Sequence, residues 1–313
     1  MRVVTRVVTL GETMALARTT EIGSLRHASG LALGIGGAES NVAVGLQRLG
    51  IDAAWLGRVG DDPLGERIAR ELRGEGLEVR ALVDAGAPTG LMIKERPSAA
   101  STAVHYYRRG SAGSRLCAAD VPDAWVEEAA LLHVTGITPL LSDTARSAAL
   151  AAVERARVAG VPVSFDINYR SALAAPEVAR SVLREIAGLA TLVFGGVEEL
   201  ELLGPDATAS LLATGVAQVI VKRGPGGAAV FTSDGATEAL GFTIEPLDTV
   251  GAGDAFVAGY LSAWLEGSST ADALERGNAC GAMACLVPGD WEAAPTRRDL
   301  ERFVAGGGDP VRR

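Results

Sequence analysis

The chain has 313 residues, of which 48% are hydrophobic and 21% are charged, and its 29 basic and 38 acidic residues give a net charge of −9. This length fits one large α/β domain or two domains of average size, and the near-average composition excludes intrinsic disorder as the main state. The acidic balance argues against a nucleic acid or an anionic membrane as partner, since both normally require a basic protein face.

The three cysteines, Cys117, Cys280 and Cys285, form no CxxC pair and have no local histidine cluster. This pattern argues against a disulfide framework or a zinc site and fits a reducing compartment. Glu12 follows the first apolar run too closely for a signal peptide, and no uncharged apolar stretch reaches the length of about 18 residues that a membrane helix needs. We therefore expect a cytoplasmic protein.

Short apolar runs recur along the chain with helical patterns between them. The runs are Val7–Leu10, 53–59, 130–134, 161–165, 191–194 and 217–221. They are rich in β-branched residues and lack alternation, which is typical of strands that are buried on both faces. The segments between them carry apolar residues at helical spacing, for example Val42, Leu46 and Leu49. We predict a mostly parallel sheet covered by helices, with ligands at the carboxyl ends of its strands.

Two stretches, 13–35 and 88–110, carry β-type sequence without a helical period. In the second stretch, Thr102, Val104 and Tyr106 occupy every second position, as the side chains on one face of a strand do. The pattern fits either a peripheral hairpin or a small β-sheet lid, and a lid would exclude water from group-transfer chemistry. Since no internal repeat or low-complexity linker is present, we predict one domain over residues 1–313 with these two segments inserted in an α/β core.

The segment 248–254, which reads DTVGAGD, precedes an apolar stretch. In that stretch, Phe256, Tyr260 and Trp264 recur at i, i+4 and i+8, so we predict a helix that begins near Asp254 and buries one face.

The turn before this helix has the composition of an anion site. Gly251 and Gly253 allow successive N–H groups to point at one spot, where the helix N-terminus also favours negative charge. Asp254 would repel a bound anion, but it fits a reaction in which it takes a proton from an attacking hydroxyl while the amides hold a transferring phosphoryl group. A plain aspartate helix cap is the alternative.

Other nucleotide-binding signatures are absent or incomplete. Neither lysine, Lys94 or Lys222, lies in a Gly-Lys-Ser/Thr sequence, and no His-Arg-Asp motif occurs. Residues 224–229 match the dinucleotide fingerprint G-x-G-x-x-A, but a strand-like sequence follows where the fingerprint requires a helix. A Rossmann oxidoreductase that binds NAD is therefore a remote alternative.

A second glycine-rich motif, at residues 36–41, precedes the helical pattern that begins at Val42. Ser40 or Asn41 could simply cap that helix. Alternatively, Gly37 lets a polar ligand touch the backbone while Asn41 hydrogen-bonds a hydroxyl, and the two interpretations are compatible.

The segments GGAESNVA at 36–43 and DTVGAGDAF at 248–256 resemble the two signature motifs of the ribokinase-like (PfkB) carbohydrate kinase family, and GRVGDDPLG at 57–65 resembles a third block. The resemblance extends over nearly the whole chain. It implies a three-layer α/β/α ribokinase-like fold with a mostly parallel central sheet and a small β-sheet lid. It also implies an ATP-dependent sugar kinase that uses Mg²⁺, allows a monovalent cation such as K⁺, and forms a homo-oligomer.

The resemblance also implies roles for individual residues. Asp254 matches the catalytic base, and the anion hole matches Gly251, Ala252 and Gly253. The implied ATP-binding residues are Lys222, Arg223, Gly224, Gly226, Gly227, Gly251 and Asn278. Glu199 matches the last residue of the family's Asn-x-x-Glu motif, which is tied to Mg²⁺ through water, although this chain has Gly196 in place of the asparagine.

Within the family, the chain is most similar to members that act on 2-keto-3-deoxygluconate. The segments responsible are GETM at 11–14, GAE at 37–39, YYRRGSAG at 106–113 and DINYR at 166–170. The implied substrate-binding residues are Gly37, Asn41, Tyr106, Arg108, Ile137, Arg170 and Asp254. A sugar carboxylate favours a planar, forked donor, which Arg108 or Arg170 could supply if it is not a solvated surface charge. Met92 departs from the pattern, since these kinases often place a tyrosine there.

The predicted reaction transfers the γ-phosphoryl group of ATP to the primary hydroxyl of the sugar acid and yields 2-keto-3-deoxy-6-phosphogluconate. A kinase for a neutral sugar such as fructose or ribose keeps the same mechanism and stays an alternative. The sequence does not distinguish 2-keto-3-deoxygluconate from its galactonate epimer.

Overall fold

The computed structural model describes residues 6–98 and 101–306, and it contains two separate β-sheets. Residues 1–5, 99–100 and 307–313, which the predicted domain and lid segments include, lie outside this part. The large sheet consists of β1 (Val7–Leu10), β4 (Ala53–Gly60), β5 (Glu78–Asp84), β8 (Leu131–Thr135), β9 (Val163–Asp166), β10 (Leu192–Gly196), β11 (Gln218–Lys222), β12 (Ala228–Thr232) and β13 (Gly235–Ala239). Their spatial order is β13-β12-β11-β10-β9-β8-β1-β4-β5.

Each of the six predicted apolar runs overlaps one strand of the large sheet, and five of these strands extend one or two residues past the predicted end of the run. In this spatial order, the seven strands between β11 and the edge strand β5, both included, pair in parallel with their neighbours. The strands β12 and β13 extend the sheet beyond β11 as an antiparallel hairpin. Because β12 follows the glycine-rich residues 224–227, the dinucleotide-like sequence opens a strand rather than the helix that a Rossmann site requires.

Helices cover both faces of this sheet. They are α1 (Ala38–Arg48), α2 (Pro63–Gly74), α3 (Asp123–Glu127), α4 (Ile137–Leu141), α5 (Asp143–Val158), α6 (Pro176–Ala187), α7 (Val197–Leu203), α8 (Ala207–Ala213), α9 (Ala252–Leu265), α10 (Thr270–Ala284) and α11 (Arg297–Val304). One core cluster joins α5, α6 and α8 to the sheet, and another joins α1, α2, α9 and α10 to it. The layers confirm the predicted three-layer α/β/α fold.

The strand β1 packs against the helices on both faces of the sheet. Val8 and Leu10 belong to one core cluster and Val7 to the other, since successive side chains point to opposite faces. All three are at most 1% exposed, which explains why the run is continuously apolar.

The second sheet is formed by β2 (Met14–Thr19), β3 (Leu31–Gly36), β6 (Leu91–Ser98) and β7 (Ser101–Tyr107), in the order β3-β2-β6-β7. It is antiparallel except for the parallel pair β2 and β6. Met14, Leu16 and Met92 form its small apolar cluster. The alternation predicted along β7 does not appear in the burial of its side chains, because β7 is an edge strand of a sheet with few buried positions.

Helix α1 begins at Ala38 with Gly37 as its N-cap, and no side chain caps it. Ser40 and Asn41 therefore lie within the first turn, and the interpretation of either residue as the cap is wrong. Among the described residues, no helix has the length and apolar character needed to cross a membrane.

Candidate active site

The strands β1, β8, β9 and β11 run parallel, so the residues at their carboxyl ends meet at one edge of the large sheet. Glu12 follows β1, Asp166 ends β9 and Lys222 ends β11. Helix α9 contributes Asp254 to the same edge, since this carboxylate interacts electrostatically with Asp166 and Lys222. This is the edge at which open α/β sheets bind ligands.

The N-terminus of α9 is formed by a tight turn with Gly251 as its N-cap. Gly251 has φ +81°, and a Cβ there would lie 1.8 Å from the carbonyl oxygen of Asp290, so a side chain fits neither the conformation nor the space. The first N–H groups of a helix have no intrahelical acceptor. Because this turn is followed directly by Ala252 and Gly253, it is suited to bind an anion. The helix begins two residues before the predicted start.

Asp254 lies in the first turn of α9 and is 8% exposed. Its Oδ2 accepts a hydrogen bond of 2.8 Å from Nδ2 of Asn41 on α1. Burial raises the pKa of Asp254 to about 7, although the Asn41 bond and the charges of Arg170 and Lys222 oppose this rise. A carboxylate that titrates near neutral pH has the proton affinity of an effective general base.

The pKa of Asp254 predicts the pH dependence of a reaction in which this residue is the general base. A base must be ionised to accept a proton, so kcat/KM is expected to fall as the pH drops below about 7. In the Asn41→Leu variant, loss of the bond to the ionised form should raise this pKa and move the acid limb to higher pH. Initial rates between pH 5 and pH 9 test this, and an acid limb that stays in place in the variant contradicts it.

Lys222 lies between Asp166 and the α9 turn. Its Nζ is 2.8 Å from each carboxylate oxygen of Asp166, and it lies 3.6 Å from the position that a Cβ of Gly253 would occupy. Burial raises the pKa of Asp166, while the Lys222 charge lowers it. Lys222 can therefore place positive charge beside an anion bound at the turn.

Glu199 anchors two backbone segments near this pair. Its Oε1 accepts from the N–H of Tyr169 at 2.8 Å and its Oε2 from the N–H of Gly196 at 2.7 Å. No group of three or more His, Cys, Asp or Glu side chains among residues 6–98 and 101–306 forms a metal site. The carboxylate of Glu199 fits Mg²⁺ that is bound through water and phosphate oxygens, since this ion keeps several of its waters, whereas both carboxylate oxygens of Asp166 are held by Lys222.

A cavity of about 520 Å³ extends from the α9 turn between α9, α10 and the glycine-rich turn 224–227. The predicted nucleotide residues that line it are Lys222, Gly224, Gly227, Gly253 and Asn278. Its walls also include the apolar residues Phe242, Ile244, Pro246, Phe256 and Ala282, which suit a flat base.

Two of the predicted nucleotide residues make contacts within the protein. Arg223 donates to Glu238 at 3.0 Å, beside the cavity rather than in its lining. Asn278 donates to the carbonyl groups of Ala239 and Leu240 at 3.2 and 3.1 Å, and it thereby fixes the chain after β13. Gly226 lies in the turn but does not line the cavity.

Arg108 follows β7 and is 8% exposed. Its Nε and Nη2 lie 2.7 and 2.6 Å from Oε2 of Glu12, which also accepts a hydrogen bond from the Ser111 hydroxyl at its other oxygen. The Arg108 guanidinium lies over the half-exposed ring of Tyr106, 5.8 Å from its centroid. The sequence analysis did not assign Glu12 to this site. Its position directly after the strand β1, at the edge where ligands are expected, is the feature that could have indicated it.

Removal of Arg108 is expected to destabilise the fold. Glu12 is 2% exposed, and the Arg108→Ala variant leaves its charge buried without a cation, which costs about 3 kcal/mol of unfolding free energy. Thermal unfolding measures this loss. The double variant Arg108→Leu with Glu12→Leu removes both charges and should recover part of the stability, whereas an unchanged Tm of Arg108→Ala contradicts the importance of this pair.

Arg170 differs from Arg108 because it is exposed and has no ion pair with any residue of the described ranges. Its charge lowers the pKa of Asp254 and of Asp166, so it lies near both carboxylates. Asn168, two residues earlier, has φ +37°, a conformation that few non-glycine residues adopt and that redirects the chain after β9. Arg170 is therefore a guanidinium near Asp254 that remains available to bind a ligand.

The remaining predicted substrate residues surround the same edge of the sheet. A Cβ at Gly37 would lie 2.5 Å from the carbonyl oxygen of Glu12, so only glycine allows this approach. The N–H of Ile137 donates to the Thr135 hydroxyl at 3.1 Å. Met92 is 4% exposed and belongs to the apolar cluster of the second sheet. Its burial explains why this position carries an apolar side chain.

Glu39 is a buried acid that sequence reasoning did not assign to the site. It is 1% exposed, and its Oε1 accepts hydrogen bonds of 2.7 Å from the hydroxyls of Thr135 and Thr138. Burial raises its pKa, which the two threonine hydrogen bonds oppose. Its position in the first turn of α1, directly after the glycine pair, was the signal that could have found it.

Comparison with known proteins identifies the class that this fold and site define. The chain belongs to the pfkB family of carbohydrate kinases, which it matches over residues 4–297. It is 40% identical to a 2-dehydro-3-deoxygluconokinase of Bacillus subtilis over 95% of each chain, and 35% identical to a 2-dehydro-3-deoxygalactonokinase of Haloferax volcanii over 96% of this chain and 97% of that one. A putative ribokinase II of E. coli, solved with ATP and Mg²⁺, superposes with a TM-score of 0.89 at 25% identity and covers 96% of this chain and 99% of its own.

Proposed function

We propose that this carbohydrate kinase transfers the γ-phosphoryl group of ATP to the C6 hydroxyl of 2-keto-3-deoxygluconate, the sugar acid also called 2-dehydro-3-deoxygluconate. The observation that carries the proposal is the carboxylate of Asp254 in the first turn of α9, at an anion-binding helix N-terminus and beside the free guanidinium of Arg170. The relatives that bear the name of this activity support the choice of substrate.

In the proposed mechanism, the acceptor hydroxyl lies against Asp254, which takes its proton as the oxygen attacks the γ-phosphorus. The N–H groups of the 251–253 turn and the Lys222 ammonium face the negative charge of the transferring group. Mg²⁺, when bound, neutralises charge on the phosphate oxygens, and Glu199 would hold it through water. Asn41 keeps the base oriented through its 2.8 Å hydrogen bond.

The cavity between α9, α10 and the 224–227 turn would hold the nucleotide, with the base between the apolar residues that line it and the phosphates near Lys222. Arg170 would bind the carboxylate of the sugar acid. The second sheet, which carries Tyr106 and Arg108 at its end, would act as the lid that excludes water during transfer.

Two further features of the protein belong to this proposal. The reaction takes place in the cytoplasm, which supplies ATP. The protein assembles with itself through the lid sheet, where Leu31, Leu33 and Tyr107 are exposed on strands at the edges. The family resemblance also allows a monovalent cation such as K⁺, and whether this chain requires one is tested below.

The experiment is ADP release in the presence of Mg²⁺ and ATP with 2-keto-3-deoxygluconate, its galactonate epimer, fructose, ribose or adenosine as acceptor. The proposal expects the two sugar acids to have the highest kcat/KM. A higher value for fructose or ribose would retain the kinase chemistry but overturn the carboxylate recognition by Arg170. Absence of ADP release with every acceptor would overturn the kinase itself.

A further inference from the structure

Lys94 is a buried lysine outside the site described above. It lies on β6 of the second sheet, and its side chain is 4% exposed. Its Nζ lies 2.6 Å from Oδ2 of Asp248 and donates to Oδ1 of Asp290 at 2.9 Å, with the carbonyl oxygen of Gly289 at 3.5 Å. Because an ammonium has three N–H donors and no acceptor, these oxygens can satisfy all of its donors.

The three oxygens belong to two chain segments, one that leads into the α9 turn and one that packs against it. Asp248 precedes the turn, and its Oδ2 also accepts from the N–H of Gly289 at 3.3 Å. The carbonyl group of Asp290 packs against Gly251, which is the N-cap of α9. The loop that Lys94 holds is therefore in direct contact with the backbone of the anion-binding turn.

The positive charge of Lys94 also compensates two buried carboxylates next to this turn. Asp248 and Asp290 are 3% and 7% exposed, and buried charges are stable only when they are paired. Burial raises the pKa of Asp290, and the Lys94 charge opposes that rise. Without a cation, the two carboxylates would repel each other and would also repel phosphate groups at the turn.

Carboxylate and carbonyl oxygens are also the ligands that a monovalent cation such as K⁺ takes in proteins. Here these oxygens are already bound to an ammonium that belongs to the chain. An added ion would have to displace Lys94 from a buried position, so this oxygen set does not fit an inorganic cation.

We propose that Lys94 is a positioning residue whose ammonium is the built-in cation of the α9 turn, so that phosphoryl transfer needs no added monovalent cation. The proposal rests on the kinase function proposed above. It assigns to the second sheet a role in holding the phosphate-binding turn, in addition to covering the substrate.

The first test compares kinase rates of the unaltered protein in KCl and in tetramethylammonium chloride at equal ionic strength. The rates are expected to agree within about twofold, which is far less than the effect of about 10²-fold that misplaced catalytic groups can cause. A rate that is at least about tenfold higher in KCl overturns the proposal, since one positioned charge can account for such a factor.

Two variants then distinguish the effect of the Lys94 charge from the effect of the volume that its side chain fills. Lys94→Met removes the charge while filling the site, so kcat should fall about 10- to 100-fold in both salts, with a smaller change in the KM of the sugar. Lys94→Ala opens space for an ion, so kcat should be low in tetramethylammonium chloride and rise in KCl. Arg18→Met is the matched control, since Arg18 pairs with Lys94 in the sheet register, and it should retain the rate of the unaltered protein in both salts.

Thermal unfolding without nucleotide gives a readout that does not depend on catalysis. KCl should raise the Tm of Lys94→Ala above its value in tetramethylammonium chloride, and it should have no such effect on the unaltered protein or on Arg18→Met. An unchanged kcat of Lys94→Met, or an equal response of Lys94→Ala to the two salts, overturns the proposal. If Lys94→Ala does not fold, the salt comparison of the unaltered protein and the kcat of Lys94→Met still decide. If no sugar is phosphorylated, the kinase proposal fails, and the unfolding comparison still tests Lys94.

Discussion

The Asp254→Asn variant is expected to lose turnover by about 10²- to 10⁴-fold, which is the range that a positioned general base contributes. The amide keeps the size of the carboxylate and can still accept the hydrogen bond from Asn41, so the geometry of the turn should persist. ATP affinity, measured by calorimetry, should change little because the turn amides and Lys222 remain. Near-normal turnover would contradict the assignment of Asp254 as the base.

The thermal stability of the same variant tests whether burial is the cause of the raised pKa of Asp254. The folded-state pKa of about 7 lies above the ordinary aspartate value of 3.8, so ionisation costs more free energy in the folded than in the unfolded chain. This cost develops as the pH rises from about 4 to 7 and is fully present above that range. Asp254→Asn removes it, so the Tm of the variant should exceed that of the unaltered protein at pH 8, with a smaller difference at pH 5. A lower Tm at pH 8 would contradict the stated cause of the raised pKa.

The Arg170→Ala variant is expected to raise the KM for 2-keto-3-deoxygluconate by about 10- to 100-fold, since hydrogen bonds between charged groups contribute about 1.5–3 kcal/mol. Fructose lacks a carboxylate, so its KM should change far less. Because Arg170 is exposed and has no ion pair within the described ranges, the Tm should stay near that of the unaltered protein. This separates Arg170 from Arg108, whose removal leaves Glu12 buried and unpaired.

Steady-state kinetics with both sugars measure the effect of Arg170→Ala. The exposed Arg73 on α2, outside the candidate site, provides the matched control as Arg73→Ala. Equal increases in KM for the acid and the neutral sugar would show that Arg170 shapes the site without recognising the carboxylate.

The central strands and α9 could be predicted because their signals are local. Continuous β-branched runs identify strands buried on both faces, as in β1, and the spacing of Phe256, Tyr260 and Trp264 identifies α9. The antiparallel hairpin of β12 and β13 was not predicted as an extension of the sheet, because pairing at a sheet edge leaves no distinct pattern in a short sequence.

The candidate site could be predicted only where its residues lie in one short segment. Gly251, Gly253 and Asp254 are close in sequence, so the anion-binding turn follows from composition and helix geometry. In contrast, the ion pair of Glu12 with Arg108 spans 96 residues and the bond of Lys94 to Asp290 spans 196. No sequence pattern links such partners, so an arginine that is held by the protein cannot be told from one that is free to bind substrate.

The most direct test of the account is ³¹P NMR of the product formed from ATP and 2-keto-3-deoxygluconate. Transfer to the C6 hydroxyl predicts a new phosphate monoester resonance that the two C6 protons split into a triplet, and its intensity should match the ADP formed. A doublet would place the phosphate on a secondary hydroxyl. Inorganic phosphate without a monoester would mean that water rather than the sugar is the acceptor, and either result would contradict the proposed reaction.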